Sequence, residues 1–483
     1  MGASLTKRLG TKSNQGSFNN MVEPAPIKDP CYGDIALLPQ AMELIYKPEF
    51  QRLNHIKQLG LMPYFYKQQH ARNQDEQPGQ SDQVGEHAQH TRLEHSIGVA
   101  HLAQLIGMQW VQHGWITLHD VLLLVLAGLC HDLGHIMFSH QGDLILKEIS
   151  PNTAEPHEWR SQYLTLEVLK KYTDLGQKDI DMVAHIIDPK HHLPGCSVDY
   201  NATRTKRLEN VINNPTHGLD VDKFDYVCFR DPYHLGIKNK WIDLTTLKAI
   251  FSRSFLDKNQ VWCFDPQDSW FPRNIRDQRN ALYKQHYLSM HIKVRDLMVM
   301  DIIHTLHSKR LVDFGLIRSN DPTTWLHITD DYWEVLIDNL QAMHSYDLDR
   351  SIPNLIVLMR GVKEDHGVTY VFHQIASPLH VIPYDVKPTL FTCKPCHIIH
   401  TTHDSNTTMI VQRTALQGYK CLDPACSGQH RTIAFIPTLA SINAKNNASS
   451  SSSSSSAASA ASAASAASAE SAAASHTPSN SIL

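Results

Sequence analysis

Val121-Leu-Leu-Leu-Val-Leu-Ala-Gly-Leu-Cys130 runs without one polar side chain into His131-Asp132-Leu133-Gly134-His135. The apolar run is about half of the roughly 20 residues that a bilayer span needs, so it reads as a helix buried inside a folded domain. Buried imidazole and carboxylate groups without partners are costly, and the ionisable groups that end this helix therefore bond one another or a metal. On a continuing helix His131 and His135 share one face, with Asp132 turned about 100° away. Upstream, Thr91-Arg92-Leu93-Glu94-His95 opens an amphipathic helix with Arg92 and His95 on a common face. Downstream, Leu219-Asp220-Val221-Asp222-Lys223-Phe224-Asp225-Tyr226 does the same for Asp222 and Tyr226. His95, His131, Asp132 and Asp222 together make a mixed nitrogen and oxygen set suited to a divalent metal, Mn, Fe, Mg or Zn, with positions left open for water or phosphate. A lone His in such a place is ordinarily a satisfied core residue; it is the ordered set that points to metal chemistry.

The rest of the composition narrows the class. A chain of 483 residues predicts about three domains, or one large enzyme domain with extensions. Lys and Arg total 44 against 48 Asp and Glu, a net charge of -4, which excludes a protein whose main work is coating nucleic acid. Nine Cys point to a reducing compartment and not to a disulfide framework. There is no secretory signal pattern, so a cytoplasmic or nuclear protein is expected. The outlier is His, with 31 residues, the side chain that both ligates metals and carries protons near neutral pH.

The expected fold is mainly α, a helical core with a smaller α+β C-terminal lobe. Residues 1–26 read as a flexible leader and 27–311 as the catalytic domain. Helical periodicity is expected at 43–58, 97–110 and 121–133 and a strand-like piece at 261–264. Within that domain 67–90 reads as an inserted polar loop; seven Gln fall between Tyr66 and Thr91. Residues 312–437 read as the α+β lobe, with a helix over 331–343 and β-rich pieces at 355–360 and 369–372. In it, Cys393-Lys-Pro-Cys396 and Cys421-Leu-Asp-Pro-Ala-Cys426 have a spacing compatible with a structural zinc ribbon. Residues 438–483, nearly pure Ser and Ala from Asn446 onward, read as a disordered tail. Met1-Gly2-Ala-Ser-Leu-Thr6 fits an N-myristoylation pattern on Gly2. One acyl chain with Lys7, Arg8 and Lys12 beside it predicts weak, reversible membrane attachment.

The order His95, His131-Asp132, Asp222 resembles the signature of the HD-domain phosphohydrolases. Longer blocks are similar to the deoxynucleoside triphosphate triphosphohydrolases: Phe50-Gln-Arg-Leu-Asn-His-Ile-Lys-Gln-Leu-Gly60, Arg92-Leu-Glu-His-Ser-Ile-Gly-Val99, Ala127-Gly-Leu-Cys-His-Asp-Leu-Gly-His135, Phe138-Ser-His140 and Asp220-Val-Asp-Lys-Phe-Asp-Tyr226. The chain resembles the animal SAM-and-HD-domain branch over about residues 27 to 310, with a leader too short for the SAM domain. The resemblance implies metal-dependent cleavage of dNTPs to deoxynucleoside and inorganic triphosphate, limiting dNTP pools. Arg92, Lys223 and Arg279 would hold the triphosphate. Gln58 and Leu59 would border the sugar, Tyr226 would line the same pocket, and Tyr287, one helical turn after Tyr283, would pack on the ribose face against a 2'-hydroxyl. His135, His140, Asp143 and His157 match the catalytic positions, with His140 protonating the departing 5'-oxygen while Asp143 and His157 orient it.

The chain also departs from the family. The stretch Val227-Cys-Phe-Arg230-Asp231 is one residue longer, and nine residues on a straight helix turn about 900°, setting Asp231 opposite Asp222. Asp231 serves the sugar only if a bulge takes up the extra residue. The family's homo-oligomer is controlled by nucleotide effectors at a guanine site ahead of Phe50; here Tyr46, Asn54 and Lys28 stand where an acid, an Arg and a small polar residue are expected, so guanine activation is expected to be lost or replaced. Two other functions fit less of the sequence. One is another HD-type nucleotide phosphohydrolase or phosphodiesterase. The other is a nucleic-acid-binding protein with a vestigial HD core.

Overall fold

The apolar run at 121–130 is the centre of a helical fold. The computed structural model describes residues 25–64, 88–152, 154–237, 240–288, 290–315 and 322–344, a few helical residues between 356 and 362, and strands at 368–374, 389–391 and 433–439. Gly2, the expected insertion up to residue 87, Cys393, Cys396, Cys421, Cys426 and the Ser/Ala tail from residue 440 lie outside the described residues.

A hairpin of β1 (Ile27–Asp29) and β2 (Gly33–Ile35) leads into α1 (Pro39–Ile45), α2 (Pro48–Gln51) and a 3-10 turn, Arg52–His55. The single helix expected over 43–58 is thus broken. Pro48 cannot continue the preceding turn and instead opens the next helix at its first position, where no amide is needed. The core pair follows: α3 (Arg92–Gln112) and α4 (Leu118–Cys130). Both start at capping boxes, Thr91 with Glu94 and Thr117 with Asp120, which satisfy the first free amides from both directions. Every residue of α4 from Asp120 to Cys130 is buried, as a helix apolar on all sides requires. Leu123, Leu124 and Leu126 are fully enclosed, each contributing roughly 1.5–3 kcal/mol. Gly128 lets the two helices touch, since a Cβ there would lie 3.0 Å from the backbone of Ala100.

Around this pair pack α5 (His140–Ile149), α6 (His157–Tyr172), α7 (Gln177–Ile187) and α8 (Thr203–Ile212). The chain then runs through α9 (Val221–Phe224), a π-helix (Asp225–Arg230), α10 (Asp231–His234) and α11 (Leu244–Arg253). The strand expected at 261–264 is present as β4 (Trp262–Cys263), paired with β3 (Phe255–Leu256). Next come α12 (Trp270–Leu282), a second π-helix (Tyr283–Tyr287), α13 (Met290–Ser308), α14 (Pro322–Trp325) and α15 (Tyr332–His344). A three-stranded antiparallel sheet has β7 (Ile433–Leu439) between β5 (Val368–Gln374) and β6 (Thr389–Phe391). The β-rich reading holds at 369–372 and fails at 355–360, where Ile356, Met359 and Arg360 are helical. The fold is mainly α. Among the described residues no helix is long and apolar enough to cross a membrane.

Candidate active site

α4 stops one residue before its ionisable groups. His131 is its C-cap, and residues 131–134 form turns closed by Leu133 N to Cys130 O and His135 N to Asp132 O. The helical face expected to carry His131 and His135 therefore does not exist. Gly134 lets the start of the helix at His157–Tyr172 come close: a Cβ there would collide with the backbone oxygen of His157. His131 goes to one cluster and His135 to another.

The first cluster joins the starts of α3 and α9 to the end of α4. His95 donates from Nδ1 to Asp225 Oδ2 at 2.7 Å, and His131 donates from Nδ1 to Gly128 O at 2.8 Å. Each neutral ring is thereby fixed with a bare Nε2, and the two Nε2 atoms face each other at 3.3 Å. Asp222 Oδ1 lies 3.0 Å from His95 Nε2 and 3.8 Å from His131 Nε2; Asp132 Oδ1 lies 3.5 Å from His131 Nε2. Ligand atoms of His95, His131 and Asp222 all fall within 4.8 Å of one another. Lone pairs so crowded need a cation among them, and the donor set fits a divalent metal. Without one, burial opposes charging of His95, but its bonds to Asp222 and Asp225 outweigh that and raise it to about 10. Burial likewise opposes ionisation of Asp132, while the charges of Arg92, His131 and His135 hold its carboxyl well below the usual range.

Asp225, to which spacing alone assigns no role, orients His95 and is itself fixed by Arg230 Nε at 2.9 Å and the Tyr32 hydroxyl at 2.8 Å. Asp225→Asn is expected to weaken metal affinity about ten- to a hundred-fold, the usual cost of losing a carboxylate behind a ligating His. Calorimetric titration with Mn(II) measures it, and an unchanged affinity would show that Asp225 only braces Arg230.

A cavity of about 550 Å³ opens beside this cluster. Gln58, Leu59, Arg92, Lys223, Tyr226, Asp231, Arg279, Tyr283 and Tyr287 all line it, together with His131, Asp132, Asp222, His140 and His157. Arg92 is buried and its donors are taken: Nη1 by Asp132 Oδ2 at 2.8 Å, Nε by Ser139 Oγ at 3.0 Å, Nη2 by Gln58 O at 3.3 Å. Lys223 Nζ donates to Asp220 Oδ2 at 2.9 Å. Arg279 donates to the hydroxyls of Tyr226 at 2.9 Å and Tyr283 at 3.3 Å.

Asp231 is where the straight-helix expectation gives way. The π-helix at Asp225–Arg230 takes up the extra residue, so Asp231 lines the same cavity as Asp222. There it accepts a hydrogen bond from the Tyr287 hydroxyl. Its other oxygen lies 2.9 Å from Nε2 of His90, a fully enclosed ring stacked on His234. His90 falls at the end of the polar stretch 67–90 that reads as an inserted loop, and nothing in its sequence surroundings distinguishes it until the chain folds. Burial and then the Asp231 charge push the Tyr287 hydroxyl well above its ordinary range.

His135, His140 and His157 form the second cluster. The rings of His135 and His157 stack at 3.9 Å, and that of His140 stands edge-on to both at 5.0 Å. His157 donates from Nδ1 to Asp143 Oδ2 at 2.6 Å, and Arg160 holds the other Asp143 oxygen at 2.6 Å. The Asp143 and Arg160 contacts tie His157 into a hydrogen-bonded relay, an arrangement suited to handling a proton. His140, the most exposed of the three, touches its neighbours by ring packing.

His95, His131, Asp132 and Asp222 thus converge beside the cavity, all within the stretch 92–228 that matches the HD domain family. The chain is 31% identical over 294 residues to deoxynucleoside triphosphate triphosphohydrolase SAMHD1 of Bos taurus, covering 57% of this chain and 46% of that protein. It is 33% identical over 301 residues to the Xenopus laevis protein of the same name, covering 56% and 44%. The Dictyostelium discoideum homolog of SAMHD1 is 24% identical over 356 residues, covering 73% and 61%. The chain spans about half the length of the curated vertebrate relatives it matches.

Proposed function

We propose that this chain hydrolyses deoxynucleoside triphosphates to deoxynucleoside and inorganic triphosphate. The observation that carries the reading is one cavity in which the metal-ligand cluster, cationic side chains and the Tyr287–Asp231 pair all meet. A divalent metal bound by His95, His131, Asp132 and Asp222 would supply charge neutralisation at phosphate and an acidified water. Lys223 and Arg279 attract and orient the triphosphate, since each stays cationic across the physiological range. Tyr287 and Asp231 meet the sugar. Water adds at the α-phosphorus, the bond to the 5'-oxygen breaks, and that oxygen takes a proton from His140.

The test is to incubate the purified chain with dATP, dGTP or ATP, each with and without GTP, and to identify the phosphate released. Intact triphosphate from the deoxy substrates is expected, without a strict requirement for GTP, because Tyr46 and Asn54 replace guanine-reading groups. Orthophosphate or pyrophosphate as the sole product would favour another HD-type nucleotide phosphohydrolase. Assembly into a homo-oligomer belongs to the same proposal.

Sugar selection follows from Tyr287. Tyr287→Ala opens space beside Asp231 and is expected to raise the ratio of ATP to dATP cleavage about ten-fold, the scale on which a pocket discriminates one small group. Competition assays with both substrates measure it, and an unchanged ratio would leave Tyr287 a packing residue.

A further inference from the structure

We propose that Asp330, about a hundred residues beyond the matched HD domain, is a positioning residue that holds two walls of the cavity in register. The proposal rests on the phosphohydrolase reading above. Asp330 is buried in the turn before α15 and its two oxygens serve two separate segments. Oδ2 accepts from Lys57 N at 3.0 Å, and Oδ1 accepts from Phe138 N at 2.7 Å. Its own amide donates to His55 O at 3.0 Å, and the Tyr64 hydroxyl is a further hydrogen-bond partner.

Both segments bear directly on the site. Lys57 precedes Gln58 and Leu59, which line the cavity; Phe138 and Ser139 precede His140. The second segment is the one that needs holding. Phe138 has φ 59° and Ser139 has φ 58° with ψ -125°, two consecutive residues other than glycine on the left-handed side of backbone space. Ser139 occupies a combination that turns normally reserve for glycine. Such a conformation persists only when its surroundings over-determine it, and here they do. Asp330 fixes the amide before Ser139, and Phe138 packs edge-on to Trp333 at 5.4 Å. The Ser139 hydroxyl donates to Lys57 O at 2.5 Å and accepts from Arg92 Nε at 3.0 Å. One carboxylate therefore fixes the Gln58 wall, the turn that aims His140, and, through Ser139, the arginine that pairs with Asp132. Two backbone amides from different segments need two acceptor oxygens on one side chain. Asp supplies them and Asn supplies one.

The experiment compares wild type with Asp330→Asn and Asp330→Glu as full chains loaded with Mn(II). It measures metal content, kcat and KM on dATP, and amide hydrogen exchange of peptides covering 55–60 and 136–142. The expected result is metal content near wild type with kcat per bound metal lowered about ten- to a hundred-fold, the scale of a misplacement of about 1 Å. Exchange should be faster in the 136–142 peptide. Asp330→Glu, which keeps both oxygens on a longer arm, should fold and lose kcat too, and it carries the test if Asp330→Asn fails to fold. Wild-type kcat and KM per bound metal in a folded variant, with only a lower melting temperature, would overturn the proposal and leave Asp330 a structural brace. If wild type releases triphosphate from no dNTP, the substrate reading fails. The clamp is then judged on the exchange data and on hydrolysis of bis(p-nitrophenyl) phosphate: protection and rate equal to wild type would overturn it.

Discussion

The double variant His131→Ala, Asp132→Ala is expected to lose bound metal and turnover together, below detection in both assays. It removes one of the two facing Nε2 atoms and the carboxylate beside it, leaving His95 and Asp222 as a two-ligand remnant. Asp132 also neutralises Arg92, whose side chain is almost wholly enclosed. Breaking a buried pair by deleting one partner costs about 3–5 kcal/mol, so the double variant alone confounds chemistry with stability. His131→Ala keeps the Arg92–Asp132 pair and serves as the control. It should melt near the wild-type temperature and still lose metal, by elemental analysis, and triphosphate release. Wild-type dNTP hydrolysis by the double variant would show that the cluster at 95, 131, 132 and 222 is not the reacting centre.

How much of this was legible in the sequence depends on how local each cause is. The core helix announces itself because ten successive apolar residues, 121–130, leave no polar face, although its bounds fall at 118–130 and not at the expected 121–133. The candidate cluster was legible because His95, His131, Asp132 and Asp222 each sit near the edge of a helix, where a buried ionisable group needs a reason. Ligand geometry was not. The expected face shared by His131 and His135 assumed that α4 continues, whereas it ends at Cys130 and residue 134 comes close to His157, a contact between segments more than twenty residues apart. Asp231 shows the opposite case: counting residues correctly said that only a bulge brings it round, and the π-helix at Asp225–Arg230 supplies one. His90 and Asp330 were invisible for a common reason. Each acts through one side chain reaching a distant segment, His90 to Asp231 and Asp330 to Lys57 and Phe138, and neither periodicity nor spacing carries that information.

His140→Gln is expected to lower kcat about 10²- to 10⁴-fold on dNTPs, the usual contribution of a positioned general acid. His140 is the most exposed of the three clustered imidazoles; His135 is enclosed, and His157, which also lines the cavity, is tied to Asp143. In the free protein the side chains packed around the cavity mouth displace water from His140, and with the charges of Arg92 and His157 they push the imidazole down to about 3, which by itself would leave it uncharged at neutral pH. A bound triphosphate reverses the field, because its negative charge favours the imidazolium and offsets those same cations. His140 therefore becomes an acid only when substrate is present. The sign follows for the pH profile: a limb in kcat falling with rising pH reports His140 in the complex, and it should vanish in His140→Gln. A leaving group that needs no proton separates this role from simple charge. With a p-nitrophenyl phosphodiester, whose phenolate departs unaided, His140→Gln should lose far less than it loses with dATP. Equal losses on both substrates would mean that His140 holds the phosphate and that the proton reaches the 5'-oxygen from elsewhere, with His157 the next donor to test.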